Sequence, residues 1–122
     1  MTSPSIGDQR LRRRVTTVIA SGLTGTGITS RQNPADITFC NRHYISIIPT
    51  GTVSGGVLSL RAEPVGATNS FAPLGIEALD LSVATNWTFD IVGFFDAFLV
   101  NITSAITGGG SIAVVVNYTI ED

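Results

Sequence analysis

The 122-residue chain contains no lysine and only one cysteine, one histidine, one tryptophan and one methionine. Each scarcity excludes something. A lone Cys40 leaves no internal disulfide framework and no cysteine-rich zinc site. It sits in the apolar run Ile37-Thr38-Phe39-Cys40, where a buried, inert thiol is expected. A single His43 with no acidic cluster leaves little from which to build a metal centre, so no cofactor is expected. The glycines of Gly22-Leu23-Thr24-Gly25-Thr26-Gly27 have no lysine and no following helix, which removes a phosphate-binding loop. No apolar stretch reaches the ~18 residues of a membrane-spanning helix. Charged residues make up only 13% of the chain and hydrophobic ones 43%. With a mean hydropathy of +0.36, this composition excludes a largely disordered chain. It also supplies more apolar surface than one small domain buries, which points to a second copy or a docked partner.

What charge there is lies unevenly. All seven cations are arginine (Arg10, Arg12, Arg13, Arg14, Arg31, Arg42 and Arg61), and all fall in the first half beside only Asp8 and Asp36. Residues 62–122 carry seven acids and no cation. The halves are therefore +5 and −7, which gives the net charge of −2. Such segregation suits head-to-tail pairing of copies or docking on an acidic partner.

Residues 1–14 read as a flexible, basic N-terminal arm that orders on a partner, and residues 15–122 as one domain. Arg12-Arg13-Arg14 before a short apolar stretch imitates a signal peptide. That stretch is broken by Thr16, Thr17, Ser21 and Gly22, and no small-residue cleavage site follows. The N-x-T triplets at Asn86, Asn101 and Asn117 read as strand residues, not glycan acceptors.

Beyond the arm every local signal is β. Val, Ile and Thr alternate in short segments punctuated by thirteen glycines, and no window carries a helical stripe. Strands are expected at 15–21, 35–48 (ended by Pro49), 53–63, 78–83, 86–92, 94–107 and 111–120. Loops are expected at 22–33 and 64–75, the latter anchored by Phe71 and Leu74. Gly55-Gly56 marks a bulge or a close backbone approach, and Gly108-Gly109-Gly110 reads as a hairpin turn. Short strands at this spacing predict an all-β fold: an antiparallel β-sandwich or jelly-roll-like barrel with an extended arm. The last strand, apolar on part of both faces, is expected to be covered on both sides.

No enzyme emerges from these residues. His43 has no marked nucleophile beside it and no G-x-S-x-G elbow accompanies it, so it reads as a structural or surface residue. Asp90 and Asp96 flank Ile91-Val92-Gly93-Phe94-Phe95. A carboxylate pair can serve glycoside hydrolysis, but two turn aspartates are the plainer reading. Exposed aromatics would mark a carbohydrate- or receptor-binding module, with Trp87, Phe94, Phe95 and Tyr118 as candidates, yet each reads more readily as core or subunit interface. The arginine cluster can contact phosphates, but the acidic chain has no basic stripe with aromatics, which disfavours nucleic acid. Arg10, Arg12, Arg13 and Arg14 fit an acidic protein surface better, through bidentate carboxylate contacts.

Residues 50–120 carry a resemblance. Gly55-Gly56-Val57-Leu58-Ser59-Leu60-Arg61-Ala62-Glu63 leads into a loop ending near Ala72-Pro73-Leu74. Then come Trp87-Thr88-Phe89-Asp90-Ile91, Phe95-Asp96-Ala97-Phe98-Leu99-Val100-Asn101-Ile102-Thr103, and Thr107-Gly108-Gly109-Gly110-Ser111-Ile112-Ala113-Val114. This order resembles the small β-structured virion proteins of tailed bacteriophages, of the capsid decoration (cement) or head- and tail-fibre type. The resemblance implies a structural role, a homo-oligomer that is often a trimer, and termini that contact the major capsid protein or another virion protein. It places the chain on the phage head, assembled in the bacterial host cytoplasm, where a chain without disulfides is at home. A neck, tail or fibre component is the neighbouring alternative.

Overall fold

The computed structural model describes residues 12–29, 32–34, 37–66, 72–73, 78–82 and 86–121. Nine strands are found among them: β1 (Arg12–Leu23), β2 (Gly27–Ile28), β3 (Arg42–Thr50), β4 (Gly55–Pro64), β5 (Ala72–Pro73), β6 (Leu79–Asp80), β7 (Trp87–Val92), β8 (Phe95–Thr107) and β9 (Ser111–Glu121). They form two antiparallel sheets. One has the order β1-β9-β3-β7 and the other β2-β8-β4-β5, with β6 also on β4. The main connections pass from one sheet to the other, and this interleaved strand order makes the sandwich a jelly roll.

The period-2 alternation decides which side of each strand is buried. Ile112, Val114, Val116 and Tyr118 of β9 face inward beside Ile45 and Ile47 of β3. Leu58, Leu60 and Ala62 of β4 stand beside Ile102, Val100 and Phe98 of β8. These two inner faces make one continuous core.

Several expectations are corrected. The arm does not extend to residue 14. Residues 1–11 lie outside the described residues, and Arg12, Arg13 and Arg14 already belong to β1, paired with Glu121, Ile120 and Thr119. The long β9 offers backbone partners that far, and a strand pairs wherever its neighbour extends. Residues 35–48 are not all strand. Ile37–Phe39 forms a 3₁₀ turn, with Cys40 N donating to Ile37 O at 3.1 Å, because the chain must cross between sheets there. Pro49 does not end β3. It pairs with Ile112, beyond the last β7 partner at Ile47–Trp87, so its missing N–H faces no neighbour. The 22–33 loop contains β2, and Gln32 bridges Phe98. Of 78–83 only Leu79–Asp80 is strand, followed by a turn in which Ser82 N donates to Asp80 Oδ1 at 2.9 Å. Phe71 and Leu74 lie outside the described residues.

The largest correction concerns 108–110. This is no hairpin, because β8 and β9 belong to different sheets. The glycines arch across the end of the sandwich, alongside the arch that carries β3 into β4. Gly110 N donates to Thr52 O at 2.7 Å, and Ser54 N donates to Thr107 O at 2.8 Å. The arches lie so close that a Cβ on Gly110 would stand 2.6 Å from Thr52 O. Glycine is required there by contact, not by turn type. The bulge at Gly55-Gly56 is present, as register shifts between Gly55, Val57 and Leu58.

Candidate functional site

The two sheets differ on their outer sides. On the β4–β8 pair, part of the outer side is closed: Ser59, Glu63, Ala97 and Leu99 are each under one-tenth exposed, while Val57, Arg61 and Asn101 are half-buried and Thr103 is exposed. On the β1-β9-β3-β7 sheet the outer side is open. Its register aligns rows across four strands. Thr16, Asn117, Tyr44 and Asp90 form one row, and Val18, Val115, Ser46 and Thr88 form the next. Ala113 and Ile48 pair in a third.

The polar groups of this face satisfy one another. Thr16 Oγ1 donates to Asn117 Oδ1 at 2.5 Å, and the hydroxyls of Ser46 and Thr88 lie 3.3 Å apart. Arg42 grips Asp90 with two nitrogens: Nε lies 3.0 Å from Oδ1 and Nη2 lies 2.5 Å from Oδ2. The guanidinium also lies over the Tyr44 ring, 5.8 Å from its centroid, in cation–π range. Hydrogen bonding to Arg42 holds the Asp90 carboxyl below its ordinary range, and the same bond raises Arg42. Beside Tyr44 lies a shallow depression of about 300 Å³ lined by Arg14, Asn117, Tyr118 and Thr119.

The residues singled out from sequence divide as follows. Arg10 lies outside the described residues. Arg12 and Arg13 begin β1, and Arg14 stands exposed on the open face at the rim of the depression. Asp90 is not a turn residue. It points outward from β7 into the Arg42 pair. Asp96 sits at the start of β8, where Gly66 N donates to its Oδ2 at 3.4 Å. The two carboxylates are engaged separately, on different sheets. Asn101 and Asn117 lie in β8 and β9. Cys40 is buried and its thiol donates to Thr119 O at 3.3 Å.

His43 is fully buried on the inner side of β3, among the rings of Phe95, Phe98 and Tyr118 at 5.6–6.3 Å. Neither ring nitrogen has a hydrogen-bond partner. Burial pushes its pKa below the ordinary 6.5. The backbone carbonyls of Ile91, Cys40 and Ile37 oppose the shift without reaching hydrogen-bond geometry. Among the candidate aromatics, Tyr118 is core, Phe95 packs on the core, and Trp87 does so stacked on Phe89 at 6.3 Å. Only Phe94 is exposed, at 53%. It belongs to an apolar end of the sandwich that also exposes Phe39, Val65 and Val92. Backbone bonds from Val65 N to Phe94 O (3.3 Å) and from Gly93 N to Asn41 O (2.8 Å) hold these loops side by side.

Sequence reasoning missed Tyr44 and the Arg42–Asp90 pair. Their signal was present as outward parity on two strands, but the pairing of β3 with β7 joins residues 48 positions apart. Among the described residues no group of three His, Cys, Asp or Glu side chains could hold a metal ion. The arrangement offers surfaces for contact.

No family model matches this sequence, and no curated protein sequence matches it. Solved structures do share the fold. The chain is similar to the SPBc2 prophage-derived protein YomS, with a TM-score of 0.59 at 11% identity, over 90% of this chain and 96% of that one. It is also similar to a chain of the Triatoma virus empty capsid, with a TM-score of 0.54 at 13% identity, over 88% of this chain and 89% of that one. At these identities the likeness is one of fold.

Proposed function

We propose that this chain is a structural protein of a virion, specifically a capsid decoration (cement) protein that seats on the assembled phage head and catalyses no reaction. One observation carries the reading. The whole jelly roll, not a fragment of it, aligns with a prophage-derived protein and with a virus capsid chain, covering 90% and 88% of this chain. The bacteriophage resemblance of residues 50–120 supports it independently.

The physics of the site fits the role. A cement protein binds the assembled shell better than its dissociated subunits, and so stabilises the particle by linkage. That demands a rigid body and large contact faces. The two packed sheets supply the body. The open sheet face and the apolar end supply contacts, and Arg10, Arg12, Arg13 and Arg14 at the start of the chain suit carboxylates on a major capsid protein or another virion protein. Copies of this chain bind one another in the same assembly.

The test is particle composition. Virions purified from cells that carry the gene are digested, and this chain is counted against the major capsid protein by quantitative mass spectrometry. Hundreds of copies per particle support decoration. A handful moves the protein to the neck, tail or fibre. Absence from the particle ends the virion reading.

A further inference from the structure

The open face has a property that its strand order makes visible. Arg14 stands exposed on the β1 edge with no ion pair among the described residues. The Asp90 carboxylate stands on the β7 edge, one row further along, and the depression beside Tyr44 lies over β9. Tyr44 itself, 43% exposed, is the one aromatic projection on the face. A two-fold axis running along the strands, between two copies of this face, lays β1 over β7 of the second copy and β9 over β3 of the second copy.

We propose that the outer face of the β1-β9-β3-β7 sheet is a self-complementary interface that binds a second copy of this chain about such a two-fold axis. Each row then meets its complement. Tyr44 of one copy descends over Asn117 of the other, into the depression of about 300 Å³. Arg14 reaches the Asp90 carboxylate already held by Arg42, so one carboxylate is shared by two guanidinium groups. Ala113 lies under Ile48 of the second copy, small against large, and Val115 lies under Ser46. Polar groups set into a dry interface normally cost desolvation. Here Thr16–Asn117, Ser46–Thr88 and Arg42–Asp90 are already bonded within each copy, so docking orphans few of them. Tyr44 and Arg14 are of the residue types enriched at interfaces.

Size sets the strength. Four strands about 4.8 Å apart and four rows about 6.8 Å apart give a footprint of roughly 500 Å² per copy. That is below the ~800 Å² per partner of a standard interface, which places the dimer among weak, transient ones. The proposal does not rest on the virion reading. Particle composition decides that one and solution mass decides this one.

Sedimentation velocity of the full chain, from low micromolar to several hundred micromolar, is expected to show reversible passage from the 12.8 kDa monomer to a species of twice that mass. Val115→Arg and Ser46→Arg, each central on the face and outward-pointing, are expected to leave the protein monomeric with an unchanged circular dichroism spectrum. Either one suffices if the other fails to fold. Arg14→Glu is expected to weaken dimerisation at least about tenfold, as loss of a charged interface contact does. A monomer at every concentration, a trimer, or a dimer indifferent to these substitutions would overturn the proposal.

Discussion

The two sheets of this sandwich are built from the same residues in the same alternation, yet they end differently on their outer sides. On the β4–β8 pair, Ser59, Ala97 and Leu99 point away from the core and are buried all the same. On the β1-β9-β3-β7 sheet, Thr16, Tyr44, Thr88 and Asp90 point away from the core and are exposed. The first sheet is therefore closed by this chain over part of its outer side, with Val57, Arg61 and Asn101 left half-buried and Thr103 exposed. The second holds the fold together with one side and keeps the other for company. Alternation reports which residues share a side, but not whether that side is finished.

The sharpest break of this comparison is one substitution made on both outer sides. Ser59→Arg places a charge where its hydroxyl is only 4% exposed and unpartnered. It should prevent folding or cost more than about 3 kcal/mol, since an uncompensated buried charge is among the most destabilising changes. Ser46→Arg, on the open face, should change stability by no more than about 0.5 kcal/mol in monomeric solution. Chemical denaturation of both variants decides it, and equal losses would erase the distinction between the sheets.

The arches give a second contrast. Gly110→Ala drives a methyl group into the Thr50 and Thr52 carbonyls and should cost about 1–3 kcal/mol, as overpacking does. Gly25→Ala, with nothing within 4 Å of the added methyl, should be near neutral. Thermal melts of the pair read the difference directly.

His43 ties the inner side of the open sheet to pH. Its pKa in the folded protein is lowered by burial from 6.5. As pH falls below that value the unfolded chain takes up a proton that folded His43 refuses, so stability is full above about pH 6.5 and declines on acidification toward the lowered folded value. Denaturation midpoints between pH 7 and 5 should fall accordingly, and His43→Phe should flatten the slope. An unchanged slope in that variant would remove His43 as its source.

The smallest effect belongs to Arg42→Gln. The pair it breaks is solvent-exposed, and such pairs add little to folding. Stability should hardly move near neutral pH. The Asp90 carboxyl should return upward to its ordinary range, which NMR titration would record, because Arg42 is what holds it down.

Much of the fold was legible because strands announce themselves by parity. The inward sets on β4, β8 and β9 follow from reading every second residue, and the bulge at Gly55-Gly56 follows from two glycines where a strand should continue. The hairpin at 108–110 misled, because a glycine run looks the same whether it turns back within one sheet or arches to the other. Only the Thr50 and Thr52 carbonyls beside Gly110 distinguish the two, and they lie some sixty residues away in the chain. The site was less legible than the fold. Arg14 drew attention as one of a cluster and proved to be a strand residue. Tyr44, Arg42 and Asp90 form a unit only after β3 and β7 pair, and nothing local in the sequence foretells that pairing.

The strand order also governs how this protein is born. β1 cannot pair until β9 exists: the Thr16 hydroxyl waits 101 residues for Asn117. Long-range pairings of this kind make folding slow and leave early strands without their neighbours during synthesis. Until β9 is made, β1 and β3 both lack the neighbour that joins them, and the pairing of β9 is the step that completes the four-stranded sheet.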